Sequence, residues 1–409
     1  MKTLNMNKSA IRILVLDDED FMLKLLVHML VKLGFNSVTA CDNGPAALAW
    51  VDTAGSSTNL ILLDLNMPEM DGIEFVRKLV ERHYSGALIL ISGEDKRVLQ
   101  MTEKLIQAHQ ITVLGHLSKP FSLIGLSSLM EKSAAMAALP RTTTPAYSAG
   151  ELQAAIADGE LINYYQPKVD VANGAVVGVE TLVRWRHRTD GLVLPNHFIG
   201  VAEEHGLIDA LTRAVLTGAL AQAKAWQQAG LRLRVAVNVS MDNLSSVEFV
   251  DFIASAADLA GVAPQDIVLE VTESRLMLDQ RAPLEVLARL RLKRFRLSID
   301  DFGLGHSSLA QLRDIPFDEL KIDQSFVSGA RQDSTARAIY DASLGLGQQL
   351  GMTVVAEGVE NIDDWNLVRS TPCDQAQGYF IARPMPAAHL VDWIASWNER
   401  KNQWQAGPP

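Results

Sequence analysis

The chain has almost no cysteine: Cys41 and Cys373 are the two thiols among 409 residues. They lie far apart, without a CxxC or a zinc-like Cys/His spacing, which excludes a thiolate metal centre and suits a reducing cytosol. A basic excess is missing as well. Lys and Arg number 37 against 48 Asp and Glu, for a net charge of −11. Such a chain has no broad basic face with which to displace counterions from DNA. A small nucleotide whose phosphate is met by a metal and a few cations stays admissible. Long apolar runs are also absent. The first, Ile11 to Leu16, ends in Asp17, Asp18 and Glu19, so no signal peptide is expected. The longest helical stretch, Leu207 to Gln228, is broken by Asp209, Arg213 and Lys224 and could not span a bilayer cheaply. The expectation is a cytoplasmic protein without membrane insertion.

What is present, 48% hydrophobic and 21% charged residues over this length, asks for two domains. In residues 1–135 short apolar strands alternate with helical stretches, the pattern of a doubly wound parallel sheet. The strands are Ile11–Leu16, Ser37–Ala40, Leu60–Leu63, Leu88–Ile91 and Val113–Leu117, with helices over Phe21–Leu33 and Gly44–Val51. Ligands of such sheets bind outside the carboxyl ends of the strands, and there stand Asp17, Asp18, Asp64, Ser92 and Lys119. Each alone reads as readily as a turn residue or a cap. Three acids at one edge want a hard divalent cation, most often magnesium, with a lysine to meet a carboxylate or a phosphoryl oxygen.

Residues 136–150 are rich in Ala, Thr and Pro and read as a connector. Residues 151–400 have the length of one (β/α)8 barrel. Strands are expected at Ile162–Gln166, Val176–Leu182, Val235–Asn238, Ile267–Val271, Phe295–Ile299, Glu319–Ile322, Thr353–Ala356 and Asp374–Tyr379. Between the first two lies room for a hairpin but not for a crossover helix, so the expectation is a modified barrel with one antiparallel strand. The strand ends carry Glu180, Asn238, Glu270, Asp300 with Asp301, Lys321, Glu357 and Gln377. In a barrel they would meet at the C-terminal mouth. This oxygen-only set suits magnesium or manganese and not zinc or copper.

Leu16-Asp17-Asp18, Asp64-Leu65-Asn66-Met67-Pro68-Glu69-Met70-Asp71-Gly72, Ser92-Gly93 and Ser118-Lys119-Pro120 resemble the response-regulator receiver domain. The resemblance implies a phosphoacceptor, Asp64, served by a cognate histidine kinase. It implies one Mg2+ or Mn2+ on Asp18, Asp64 and the backbone carbonyl of Asn66, with Asp17 assisting through water, and phosphoryl contacts from Ser92 and Lys119. His116 stands where the family has its switch aromatic. Phosphorylation would add a charge of about −1.5 to −2 at Asp64.

The second set of motifs is Glu180-Thr181-Leu182-Val183-Arg184-Trp185, Asn238-Val239-Ser240, Glu270-Val271-Thr272-Glu273, Asp300-Asp301-Phe302-Gly303, Lys321-Ile322-Asp323, Glu357-Gly358-Val359-Glu360 and Gln377-Gly378-Tyr379. It resembles the EAL-domain phosphodiesterases, which hydrolyse cyclic di-GMP to the linear dinucleotide. The resemblance implies a first Mg2+ or Mn2+ on Glu180, Asn238, Glu270 and Asp300, and a second on Asp300 and Asp301. Lys321 would orient the attacking water and Glu357 would act as general base. Gln166, Leu182, Arg184, Asp323 and Gln377 would contact substrate, and Glu273 would anchor the loop after Asp301. Thr181 replaces the family's alanine, and Leu304 and His306 replace a threonine and a tyrosine of that loop. A lone loop histidine is more often structural than catalytic.

The expectation is thus a response regulator whose output hydrolyses cyclic di-GMP under control of Asp64, as a homodimer or higher homo-oligomer. A catalytically silent cyclic di-GMP sensor, acting through protein contacts, should have lost metal ligands or the lysine, and this sequence has lost neither. A DNA-binding output is opposed by the length of the second domain and by the acidity.

Overall fold

The computed structural model describes residues 11–54, 60–82, 84, 86–93, 99, 101–103, 105–106, 111–119, 121–138, 147–272, 281–303, 312 and 315–405. The chain divides into two compact units, Met1–Thr143 and Thr144–Pro409.

The first unit is a parallel sheet in the order β2-β1-β3-β4-β5, from β1 (Ile13–Leu16), β2 (Val38–Cys41), β3 (Leu60–Asp64), β4 (Ala87–Ser92) and β5 (Thr112–Ser118). Its central strands are apolar at consecutive positions because both faces are covered. Leu14, Leu16, Ile61, Leu63, Leu88 and Leu90 enter one core, while Ile13, Val15, Leu60, Leu62, Ile89 and Ile91 enter the other. The period of two thus serves two layers of helices, and it leaves the polar residues to the strand ends.

The second unit is a barrel. Its strands are β6 (Leu161–Asp170), β7 (Val176–His187), β8 (Gly191–Val193), β9 (Arg234–Val239), β10 (Ile267–Thr272), β11 (Arg296–Phe302), β12 (Glu319–Ile322), β13 (Thr353–Ala356), β14 (Gln375–Ala376) and β15 (Met385–Pro386). The sheet runs β6-β14-β13-β12-β11-β10-β9-β7 and closes through β6–β7 pairing, with β8 and β15 as additions outside the ring. The antiparallel strand is β6, opposed to both β7 and β14. The short turn anticipated at residues 170–174 joins β6 to β7, and Gly174 takes φ +67°, a left-handed value that glycine adopts without strain. Helix Ile208–Gln228 buries Leu211, Val215, Ala219, Ala223 and Trp226, an apolar stripe at helical spacing, against the barrel.

Four strands differ from their expected bounds by three residues or more: β6 runs past Gln166 to Asp170, β11 runs past Ile299 to Phe302, and β7 and β14 differ as well. β7 does not stop at Leu182 but continues to His187, because the first residues of β6 and the added β8 pair with its two edges. Glu180 therefore lies inside a strand that overhangs the barrel. Conversely, Asp374–Tyr379 shrinks to the two residues of β14. Gln377 is nevertheless tied to β13, its backbone N–H donating to the Ala356 carbonyl at 2.9 Å. No helix among the described residues is long and apolar enough to cross a membrane.

The turn into β7 is held from behind. Trp397 of helix Ala387–Gln405 is fully buried, donates from Nε1 to the Gly174 carbonyl at 2.8 Å, and stacks on Trp393 with ring centroids 5.6 Å apart. Trp397→Ala should cost about 3–5 kcal/mol through the lost burial and the cavity left behind, read as a shift in the barrel's denaturant midpoint. A shift of less than about 1 kcal/mol would contradict this packing role.

Candidate active site

At the barrel mouth one ammonium group is shared among four acids. Lys321 Nζ, 1% exposed, lies 2.8 Å from Glu357, 2.9 Å from Asp300, 3.3 Å from Glu270 and 3.7 Å from Glu180. Each side chain comes from its own strand. Glu357 follows β13 directly, and its backbone N–H donates to the Ile322 carbonyl at 3.1 Å, which continues the β12–β13 ladder past its last residue. Asn238 Nδ2 donates to Glu180 Oε1 at 3.0 Å; Gln377 Nε2 donates to Glu180 Oε2 at 2.6 Å and to Gln166 Oε1 at 3.0 Å. Gln166 belongs to this group because β6 runs backwards and so begins where its neighbours end.

Asp300 and Asp301 pose a geometric problem, since neighbours on a regular strand face opposite sides. A bulge resolves it. The β11–β12 register shifts between Ile299 and Phe302, and Asp301 takes φ +56°, a conformation that aspartate tolerates better than most residues. Carboxylate oxygens of Asp300, Asp301 and Glu357 then come within 4.8 Å of one another.

The charges are out of balance. Burial, aided by the negative charges of Glu270 and Asp300 and opposed by Lys321, lifts the Glu180 carboxyl to about 7. Burial likewise holds Glu357 well above the usual carboxylate range, against the pull of Lys321. Burial would raise Glu270 too, but the charges of Lys168 and Lys321 outweigh it and hold that carboxyl at about 2. Carboxyls crowded until some keep their protons, with only oxygen and amide donors around them, fit a hard divalent cation.

A cleft of about 370 Å³ opens over this ring, lined by Gln166, Glu180, Leu182, Asp301, Asp323, Glu357, Gln377 and Tyr379 among others. Arg184 is not among the lining residues. Its guanidinium sits over Tyr164, 5.5 Å from the ring centroid, one strand step beyond Leu182. Glu273, Leu304 and His306 lie outside the described residues.

Sequence reading missed the layer beneath. Lys168, buried, bonds Glu270 Oε1 at 2.7 Å and Glu319 Oε1 at 2.8 Å, and Ser298 Oγ donates to the same Glu319 oxygen at 3.0 Å. Each lies two residues along a strand from a mouth residue: Lys168 from Gln166, Glu319 from Lys321, Ser298 from Asp300. The period of two that identifies inward-facing positions would have found them.

In the first unit, Lys119 Nζ lies 2.7 Å from Asp64 and 3.0 Å from Asp17. Burial would lower the lysine's pKa, but these two carboxylates raise it. Burial raises Asp17, against Lys119. Asp64 Oδ1 accepts the Asn66 backbone N–H at 3.2 Å, and carboxylate oxygens of Asp17, exposed Asp18 and Asp64 lie within 4.8 Å of one another. Ser92 is buried at the end of β4, and its carbonyl accepts the Lys119 backbone N–H at 3.0 Å. His116 is half-buried on β5.

Comparison with known proteins assigns each unit to a family. The EAL domain family model matches residues 149–384, and the response regulator receiver domain model matches residues 13–131. Cyclic di-GMP phosphodiesterase RocR of Pseudomonas aeruginosa is 33% identical over 388 residues, covering 94% of this chain and 99% of that protein. Cyclic di-GMP phosphodiesterase NbdA of the same species is 42% identical over 66% of this chain, which spans 34% of NbdA's length. Among solved structures, the PaMucR phosphodiesterase in complex with c-di-GMP is 38% identical with a TM-score of 0.57, over 59% of this chain and 98% of that one.

The charge imbalance has a measurable sign. Glu180 keeps its proton to about 7 in the folded barrel, against about 4.3 in an unfolded chain. Stability from this group is therefore full below the unfolded pKa and is lost as pH rises through the folded one. Without divalent cations, the barrel's unfolding temperature should fall between about pH 5 and about pH 8, and Mn2+ should restore it most at the upper end. An unfolding temperature that rises across that window would contradict the crowded-carboxyl account.

Proposed function

The chain belongs to the EAL-domain family and carries a response-regulator receiver domain, and from that premise we propose that it hydrolyses cyclic di-GMP to linear pGpG under control of phosphorylation at Asp64. The observation that carries this reading is the complete ring of oxygen donors around Lys321 in a chain that matches RocR along nearly its whole length. A silent sensor is not favoured by any departure in that ring.

In this proposal Glu180, Asn238, Glu270 and Asp300 hold one Mg2+ or Mn2+, and Asp300 and Asp301 hold a second. A divalent cation bound there would lower the pKa of a coordinated water and draw charge from the phosphodiester oxygens. The chain's own groups do the rest. Gln166, Leu182, Asp323 and Gln377, which line the cleft, orient the dinucleotide, and Arg184 meets a phosphate beyond them. Glu357 takes the proton of the attacking water, a role that requires the charge of a nearby cation to offset the burial that otherwise keeps this carboxyl protonated. Lys321, 2.8 Å from Glu357, orients that carboxylate and offsets negative charge as it develops at phosphorus. Water adds to phosphorus, one ester P–O bond breaks, and the leaving sugar oxygen takes up a proton.

In the receiver, Asp64 accepts the phosphoryl group from a histidine kinase, with a divalent cation held by Asp18, Asp64 and the Asn66 carbonyl, Asp17 assisting through water. Ser92 and Lys119 contact the phosphoryl oxygens. Lys119, paired with Asp64 and Asp17, would exchange one carboxylate partner for a phosphoryl oxygen.

Asp300→Asn should lower turnover of cyclic di-GMP by about 10²-fold or more, followed as linear product by chromatography; wild-type turnover in that variant would remove the metal assignment. Acetyl phosphate should change the turnover of the wild type and leave Asp64→Asn unaffected. Equal rates in both proteins, with and without the phosphodonor, would remove the regulatory assignment.

A further inference from the structure

We propose that Lys168 is a positioning residue for the metal site: it fixes the rotation of the Glu270 carboxylate so that a single oxygen, Oε2, is presented to the barrel mouth. The inference rests on the reading of Glu270 as a cation ligand. Lys168 comes from β6, the reversed strand, and Glu270 and Glu319 come from β10 and β12, neither of which pairs with β6. The lysine therefore reaches across the barrel interior. It sits in the layer below the mouth, beside Gly178, Ala236 and Val268 around a void of about 10 Å³. These small and apolar neighbours leave room for its stem, and although Gln375 and Arg234 also line the void, the ammonium bonds Glu270 and Glu319.

The hydrogen bonds divide the two oxygens of Glu270. Oε1 accepts from Lys168 at 2.7 Å. Oε2 is fully buried and makes no well-aligned hydrogen bond, although Lys321 Nζ stands 3.3 Å away. A carboxylate held from below by one oxygen cannot rotate to offer both, so Glu270 enters the mouth as a one-oxygen donor of fixed direction. Glu319 holds the lysine in turn, and Ser298 Oγ fixes Glu319 at 3.0 Å. Within the chain Ser298–Glu319–Lys168–Glu270 it is Lys168 that bonds the proposed ligand, and loss of such a hydrogen-bond partner of a metal ligand costs about 10–100-fold in metal affinity. A purely structural alternative is that Lys168 exists to neutralise Glu319 in the interior. The two are separable, because Lys168→Met together with Glu319→Met removes one charge of each sign and puts apolar side chains in their place, while Glu270 keeps the charge of Lys321 beside it.

The test is Mn2+ binding without substrate, followed by the paramagnetic resonance of free Mn2+, on full-length protein carrying Asp18→Asn and Asp64→Asn so that the receiver does not titrate. Lys168→Met/Glu319→Met should unfold within a few degrees of its parent and bind Mn2+ at least about tenfold more weakly. Glu319→Met alone, which keeps the Lys168–Glu270 bond, should bind as the parent does. A double variant that binds as tightly as the parent, or a Glu319→Met variant that loses as much as the double one, would overturn the positioning role while leaving the metal site intact. A parent that binds no Mn2+ would overturn the metal site itself, and this inference with it.

Discussion

The barrel depends on a single amine that cannot satisfy its surroundings. Lys321 is buried among carboxylates from four strands, and a lone ammonium ion can neutralise one of them. The remainder is expressed as protons: Glu180 and Glu357 hold theirs far above the usual carboxylate range, while Glu270, with two lysines beside it, does not. A divalent cation would relieve that repulsion. The crowding of these acids in the interior is the kind of local cost that proteins carry at functional sites.

Two backbone devices bring the acids together. Reversal of β6 adds Gln166 to a mouth otherwise made from strand ends and sends Lys168 in beneath Glu270. The bulge in β11 turns two consecutive aspartates to one side, which a regular strand forbids. The first unit gathers its acids without a reversed strand, because its parallel strand ends bring Asp17, Asp18, Asp64 and Lys119 to one edge. In both units a lysine holds carboxylates that a cation or a phosphoryl group could claim.

Much of this was legible beforehand, for identifiable reasons. Buried parallel strands are written as uninterrupted apolar runs, so Leu60–Asp64 and Ile267–Thr272 could be read almost to the residue. The hairpin before β7 followed from a gap too short for a helix. What escaped depends on partners distant in sequence. β7 extends past Leu182 because β8 and the start of β6 flank it, and β14 is short because its chain turns away to hold Gln377 against β13. Lys168 and Glu319 escaped because attention fell on the strand ends, although their spacing from Gln166 and Lys321 puts them inside. Nothing local in Asp300-Asp301 announces a bulge; the pairing of Phe302 with Ile322 creates it.

The central claim, that the ring around Lys321 is built for a divalent cation, is tested most directly by anomalous diffraction from crystals grown with Mn2+. The account predicts a manganese peak in the barrel mouth against Asp300 and its neighbouring acids, with Lys321 drawn away from at least one of the carboxylates it now holds. Manganese bound elsewhere on the protein, with Lys321 still holding all four acids and no peak among them, would contradict it.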